Sequence, residues 1–309
     1  MSDSLNHSLL SGEYSRREII AKSALLLAAA GLPEFARAGQ SDKQRLPRAV
    51  ALEWSAVETL YALGLTPVAV SDITGYNNWV SKPAIVPGVA ELGLRTEPNL
   101  ELLASLAPDL LILPEHSPLS VPRLEQIAPV WQYSFAVPGK SLLSVATDNI
   151  RQLASRLGRD TEARQYLSDY AQQQAGYRQQ LQPFAGKKIL MFTLMSSRQA
   201  LVLTPDSLFG EVLQQLGLHC AWQGATSIWG SVIIGIEQLL TCDADYVLQF
   251  SHNDQPLLNS LSGSPLWQQM PFNQNHRRWL VEPVWLYGSL YSVQRFAGIL
   301  TQVSREWHA

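Results

Sequence analysis

Two segments of this chain occur twice, in the same order, and that doubling restricts what it can fold into. Residues 98–113 read PNLELLASLAPDLLIL and residues 235–250 read GIEQLLTCDADYVLQF. Aligning Glu101 on Glu237 places Asp109 on Asp245, and each Asp opens an apolar run. Upstream of each lies a second pair, WSAVETLYALGL at 54–65 and SLFGEVLQQLGL at 207–218, which aligns Glu58 on Glu211 and Gly64 on Gly217. Two copies in one order imply two similar lobes. Two lobes imply a cleft, and clefts between lobes are where small ligands bind.

The elements around the repeats are of α/β type. Residues 49–52, 67–71 and 110–113 are short apolar runs that read as buried strands, with helical segments between them. Such alternation gives a sheet with helices on its faces. Ser55 and Glu58 have capping-box spacing at the start of a helix that Gly64 ends. The copies differ in one place. Gly64 and Glu101 lie 37 positions apart, Gly217 and Glu237 only 20, so the first copy carries 17 additional residues. Most fall in 73–93, read as an irregular loop containing Tyr76, Trp79, Pro83 and Pro87. Residues 142–181 are rich in Gln, Ala, Arg and Leu, with Ile150, Leu153 and Leu157 at helical spacing and a break expected at Gly158. The organisation is therefore an N-terminal α/β lobe over 39–140, a helical connection over 141–184 and a C-terminal α/β lobe over 185–309.

Residues 1–38 read as a leader. Arg16 and Arg17 precede an apolar run at 23–32, and Ala36-Arg37-Ala38 offers a small-residue cleavage site. Paired arginines before a modest apolar stretch mark a twin-arginine signal, hence a periplasmic protein. The run is shorter than the ~20 residues that span a bilayer. Cleavage would leave 271 residues with an unchanged net charge of −3. So small a charge provides no basic footprint for nucleic acid. Cys220 and Cys242 are the only cysteines. Two free thiols or one weak disulfide both fit, and a zinc or iron–sulfur site built on cysteine is excluded by count.

Catalytic signatures are missing. There is no G-x-S-x-G, no H-E-x-x-H and no phosphate-binding glycine fingerprint. Asp206, Ser207, His252 and Asp254 form a triad only on paper, so the chain is read as a non-enzyme. The six histidines are scattered. The nine tryptophans carry more information. Trp79, Trp229 and Trp285, with Tyr287, sit beside Gly, Pro or Asn outside periodic segments. Aromatic walls of this kind suit a bulky, partly apolar ligand. Arg95 has two readings, a surface ion pair with Glu97 or Glu91 or a cleft anchor offering several N–H donors to ligand oxygens.

The segments VALEWSAVETLYALGLTPV, NNWVSKP, GLRTEPNLELL, SLFGEVLQQLG, AWQGATSIWGS, PLWQQMPF and PVWLYG together resemble the ferric-hydroxamate-binding members of the class III periplasmic binding proteins. The resemblance spans the whole chain after the leader. It implies two α/β lobes joined by one long helix. It also implies a monomer that takes a ferric hydroxamate siderophore to an inner-membrane ABC permease, with no cofactor and no protein ligand to the iron. In that family a cleft Arg, here Arg95, meets the hydroxamate oxygens. The aromatic wall carries over to Trp79, Trp229, Trp285 and Tyr287. The family's cleft Tyr is missing from PEHSPLS, where Ser117 or His116 takes its place. One acidic side chain per lobe docks on the permease, which points to Glu101 and Glu237, with Glu58 and Glu211 as the second symmetric pair. The same architecture holding haem, cobalamin or a catecholate chelate is the alternative.

Overall fold

The computed structural model describes residues 45–252 and 255–307, so the leader, with its paired arginines, and Asp254 lie outside the described residues. Residues from Pro47 onward form one compact unit. Its first sheet is entirely parallel. It contains β1 (Ala49–Ala51), β2 (Ala69–Val70), β3 (Ala90–Glu91), β6 (Leu110–Pro114) and β7 (Val130–Tyr133), in the order β3-β2-β1-β6-β7. A small antiparallel ribbon, β4 (Gly93–Leu94) and β5 (Glu97–Pro98), lies beside it in sequence. The helices of this lobe are α1 (Trp54–Ala62), α2 (Ile73–Trp79), α3 (Leu100–Ser105) and α4 (Val121–Leu124).

The connection holds α5 (Leu142–Leu157) and the 22-residue α6 (Asp160–Leu181). Gly158 separates them in the left-handed conformation at φ 65°, as the glycine in the sequence predicts. The second sheet is mixed. It runs β11-β9-β8-β12-β13, with β10 also on β8. The strands are β8 (Lys188–Leu194), β9 (Gln199–Leu203), β10 (His219–Cys220), β11 (Ser231–Gly235), β12 (Tyr246–Phe250) and β13 (Arg278–Val281). The helices used below are α7 (Leu208–Gln215) and the last helix, α8 (Leu290–Val303). The orders β2-β1-β6-β7 and β10-β8-β12-β13 coincide, so the shared core of both lobes is a four-stranded parallel unit.

The repeated residues explain that shared core. Asp109 accepts a hydrogen bond from the Arg48 amide at 2.7 Å, and Asp245 accepts one from the Lys188 amide at 2.8 Å. Each carboxylate thus pins the start of its lobe's central strand, in a pairing that the reverse backbone bonds Asp109 N to Arg48 O and Asp245 N to Lys188 O complete. Gly64 and Gly217 take φ of 68° and 84°. The bonds Leu65 N to Leu60 O and Leu218 N to Leu213 O close a Schellman turn behind each.

The structure corrects two sequence expectations here. Ser55 and Glu58 do not form a capping box. Glu53 caps α1 instead, accepting from the Ser55 amide at 2.7 Å, while Glu58 is wholly buried and reaches across to the other lobe. It accepts from the Ser289 amide at 2.8 Å and the Ser292 hydroxyl at 2.5 Å, at the N-terminus of α8. Its counterpart Glu211 accepts from the amides of Leu142 and Leu143 at 2.7 and 3.0 Å, at the N-terminus of α5. Both are thereby removed from consideration as exposed docking residues. Second, 73–93 is not irregular throughout: it opens with α2, capped by Asp72, whose side chain accepts from the Gly75 amide.

The apolar core is continuous through both lobes, with Trp54, Val57, Tyr76 and Tyr133 in the same cluster as Phe209, Phe250, Trp285 and Phe296. Cys220 and Cys242 are free thiols, and burial pushes the Cys220 thiol up to about 11. No helix among the described residues is long and apolar enough to cross a membrane.

Burial raises the Glu58 carboxyl to about 7, against the hydrogen bonds from Ser289 and Ser292 and the charge of Arg295, which pull it down. The folded state therefore holds this proton more tightly than the unfolded chain. The group's contribution to stability is greatest below about pH 4.5 and falls as pH rises to about 7. Glu58→Gln is expected to flatten the decline of the melting temperature between pH 5 and 7; a thermal scan against pH that shows the same slope in both proteins contradicts this.

Candidate functional site

A cavity of about 280 Å³ opens between the lobes, lined by Glu53, Ser55, Arg95, His116, Tyr133, Phe135, Trp229, Trp285 and Tyr287. The N-terminal lobe supplies the polar groups from the carboxyl ends of its strands. Glu53 and Ser55 follow β1, His116 follows β6, and Tyr133 and Phe135 end or follow β7. Arg95 sits in the turn between β4 and β5. The C-terminal lobe supplies aromatic rings from the loops before β11 and after β13. A larger groove of about 750 Å³ runs past Lys140, Asp206 and Glu211, but no aromatic residue lines it.

Arg95 is the centre of the polar wall. Its guanidinium carbon lies 3.6 Å from the Trp54 ring centroid and 5.7 Å from that of Trp285. Nη1 donates to Glu53 Oε1 at 3.3 Å and Nε is 3.8 Å from Asp72 Oδ2. These partners replace the expected ion pair with Glu97 or Glu91. Glu91 is occupied in accepting from the amides of Asp72, Ile73 and Gly93. With two carboxylates and one aromatic face around it, the guanidinium is held in place before any ligand arrives.

Glu53 is itself fixed. Its Oε2 accepts from the Ser55 amide, the Ser55 hydroxyl at 2.6 Å and the Tyr133 phenol at 2.8 Å. The Ser55 and Tyr133 hydroxyl oxygens also lie in contact with each other, so two hydroxyl protons are shared among three contacts in this cluster. Burial, then the charge of Glu53, keeps the Tyr133 phenol well above its ordinary value, so it stays protonated and donates. His116 is exposed at the cavity mouth, with its ring edge-on to Trp229 at 4.6 Å. Partial desolvation there lowers its pKa from the ordinary value, with Glu53 opposing and Arg95 adding.

The expected aromatic wall divides. Trp229, Trp285 and Tyr287 line the cavity, joined edge-on at 6.2 Å between Trp229 and Tyr287 and 5.4 Å between Trp285 and Tyr287. Phe135 completes the wall, 5.5 Å from Trp229. Trp79 lies behind it, stacked on His252 at 4.1 Å and edge-on to Trp285 at 6.4 Å, in the seam between lobes. Of the two candidates for the missing Tyr, His116 lines the cavity. The Ser117 hydroxyl turns to the amide of Leu119 at 3.4 Å. Ser207 caps α7 and is buried, which leaves nothing of the paper triad.

Glu53, Trp54, Ser55, Tyr133 and Phe135 were not legible as site residues. Trp54 and Ser55 look like the start of an amphipathic helix, and Tyr133 and Phe135 like the end of a strand. Only the sheet order brings β1, β6 and β7 side by side and aims their ends at one place. Glu101, on the first turn of α3, and Glu237, on the first turn of the short 3₁₀ helix Ile236–Thr241, are both exposed and occupy equivalent places in the two lobes.

Residues 50–283 match the family model described as periplasmic binding protein. The chain belongs to that family. It is 36% identical over 253 residues to the iron(3+)-hydroxamate-binding protein FhuD of Escherichia coli, covering 82% of this chain and 85% of that protein. The achromobactin-binding periplasmic protein of Dickeya dadantii is 29% identical, with 77% and 79% covered. Among solved structures, the siderophore-binding protein FhuD of Vibrio cholerae with bound Fe³⁺-Desferal superposes with a TM-score of 0.76 at 29% identity, over 83% of this chain and 97% of that one.

Tyr133→Phe removes the phenol bond to Glu53 while keeping the ring. It is expected to lower unfolding stability by about 1 kcal/mol, measured by urea denaturation; a midpoint unchanged from wild type contradicts it.

Proposed function

We propose that this protein captures ferric hydroxamate siderophores outside the cytoplasm and delivers them to an inner-membrane ABC importer. The observation that carries this reading is the cavity itself, a pre-held guanidinium on one wall and four aromatic rings on the other. A ferric trihydroxamate is coordinatively complete, so the receptor supplies no ligand to the iron. What it must recognise is a patch of hydroxamate oxygens and a variable, mostly apolar backbone. Arg95 provides charge-assisted hydrogen bonds for the first. Phe135, Trp229, Trp285 and Tyr287 provide flat apolar surface for the second. The identity to the hydroxamate-binding protein of Escherichia coli supports the same ligand class. Achromobactin is the second reading of the ligand, favoured by the achromobactin-binding relative.

The reading makes residues 1–38 a twin-arginine leader and the working protein a monomer with no cofactor of its own. Glu101 and Glu237 serve as the acidic contacts to the permease, one per lobe.

Titration with an iron-loaded trihydroxamate is expected to quench tryptophan fluorescence with roughly micromolar affinity, about −8 kcal/mol. Arg95→Ala is expected to weaken that binding by about 1.5–3 kcal/mol, the scale of hydrogen bonds to a charged group. Absence of quenching by any ferric hydroxamate, beside clear binding of haem or cobalamin, refutes the ligand class. For docking, the double variant Glu101→Ala, Glu237→Ala is expected to bind ligand normally and to abolish iron uptake in cells that depend on this receptor. Normal uptake removes both residues from the docking face.

A further inference from the structure

We propose that Glu58 is a positioning residue for ligand binding: from the first lobe it holds the turn of the second lobe that presents Trp285 and Tyr287 to the cavity. This rests on the siderophore-binding reading above and adds to it a residue that does not itself line the cavity.

The two rings stand on one tight turn. The Gly288 amide donates to the Trp285 carbonyl at 3.1 Å, which closes the chain over Leu286 and Tyr287. Immediately after the turn, the Ser289 amide donates to Glu58 Oε2 at 2.8 Å and the Ser292 hydroxyl to Oε1 at 2.5 Å. Ahead of it, Arg295 Nη2 donates to the Pro283 carbonyl at 2.8 Å. The turn is thus held on both sides, and its far side is held from the other lobe.

Space is as restrictive as the bonds. Glu58, Ser289 and Ser292 are all buried. A methyl group at Gly288 would overlap Ser292 and lie 2.7 Å from Glu58 Oε2, so the turn sits on the carboxyl with no room between them. Glu58 works together with Trp54, one turn earlier on the same face of α1. Trp54 packs edge-on to Trp285 at 4.8 Å. A single helix of the first lobe therefore grips the turn at Trp285 and again at Ser289. The symmetric position differs. Glu211 binds the amides of Leu142 and Leu143, and neither residue lines the cavity. Both glutamates cap a helix, but only Glu58 caps a segment that carries ligand-facing rings. Loss of its carboxyl leaves the Ser289 amide buried without an acceptor, a cost that the turn relieves by shifting toward water. Such a shift carries two flat rings away from the surface against which an apolar ligand packs.

The test measures the affinity of the full receptor for a ferric trihydroxamate by tryptophan quenching, with the urea midpoint of each variant beside it. Glu58→Ala is expected to weaken binding about tenfold, the factor that one buried hydrogen bond is worth. Glu58→Gln keeps an acceptor for the Ser289 amide and is expected to restore most of the affinity. Asp245→Ala removes the bond to the Lys188 amide at the start of β8, outside the cavity lining, and is expected to lower the midpoint with affinity unchanged. In a Tyr287→Ala background, Glu58→Ala is expected to cost less than it does alone, because one of the rings it places is gone. Unchanged affinity in Glu58→Ala, or an equal loss in Asp245→Ala at a matched midpoint, overturns the positioning role. Should Glu58→Ala fail to fold, Gly288→Ala, which keeps the carboxyl and displaces the turn, is expected to show the same loss; wild-type affinity in that variant overturns the role. A wild-type protein that binds no trihydroxamate refutes the transport reading, and the positioning role is then read without ligand. Glu58→Ala is expected to lose near-ultraviolet circular dichroism that Glu58→Gln and Asp245→Ala retain, and identical spectra in all three overturn it.

Discussion

Two buried or half-buried carboxylates clasp the structure around the cleft, one from lobe to lobe and one from the second lobe to the helical connection. Glu58 leaves α1 of the first lobe and satisfies the N-terminus of α8 in the second. Glu211 leaves α7 of the second lobe and satisfies the N-terminus of α5, the helix that follows the first lobe's last strand. A helix N-terminus presents unpaired amides and a partial positive charge, so a carboxylate there is held by geometry and by field. Moving the second lobe away would uncover helix N-terminal amides at both places. The cost of breaking such buried hydrogen bonds, about 0.5–1.5 kcal/mol each for a neutral carboxyl and more for an ionised one, is added to that of opening an apolar core which runs through both lobes.

That constraint determines where the site can be. With the lobes locked, the carboxyl ends of β1, β6 and β7 face the loops around β11 and β13 across a narrow gap. Open parallel sheets place ligands at these ends. The division of labour follows from the elements. Strand ends in the all-parallel lobe deliver the polar cluster of Glu53, Ser55 and Tyr133. The loops of the mixed lobe deliver Trp229, Trp285 and Tyr287. The extra residues of the first copy also serve the seam. Arg295 of α8 donates to the carbonyls of Val80 and Lys82, and Lys82 pairs with Glu282 at 2.6 Å. Trp79 belongs to this seam, stacked on His252.

Much of this was written in the repeat. Asp109 and Asp245 align because each pins a central strand, and Gly64 and Gly217 because each closes the same helix end. Glu101 and Glu237 align because both stand at exposed first turns of equivalent helices. Glu58 and Glu211 were visible as a pair, yet their purpose was not, because capping-box spacing to Ser55 suggested a local bond. The actual donors lie more than 200 residues away for Glu58. Arg95 was legible as a cleft donor by resemblance, but its partners were not. Glu91 and Glu97 are near in sequence, while Glu53 and Asp72 are near in space.

The sequence alone, through periodicity and repetition, determined two α/β lobes, a helical connection broken at Gly158, and a cleft lined by aromatic loops. Those features depend on local propensity and on patterns that survive within a few turns of chain. Tertiary structure alone decided which carboxylates clasp the lobes, which neutralise Arg95, and that His116 rather than Ser117 lines the cavity. Each of these is a contact between side chains brought together by sheet order and lobe packing, and no spacing along the chain encodes it.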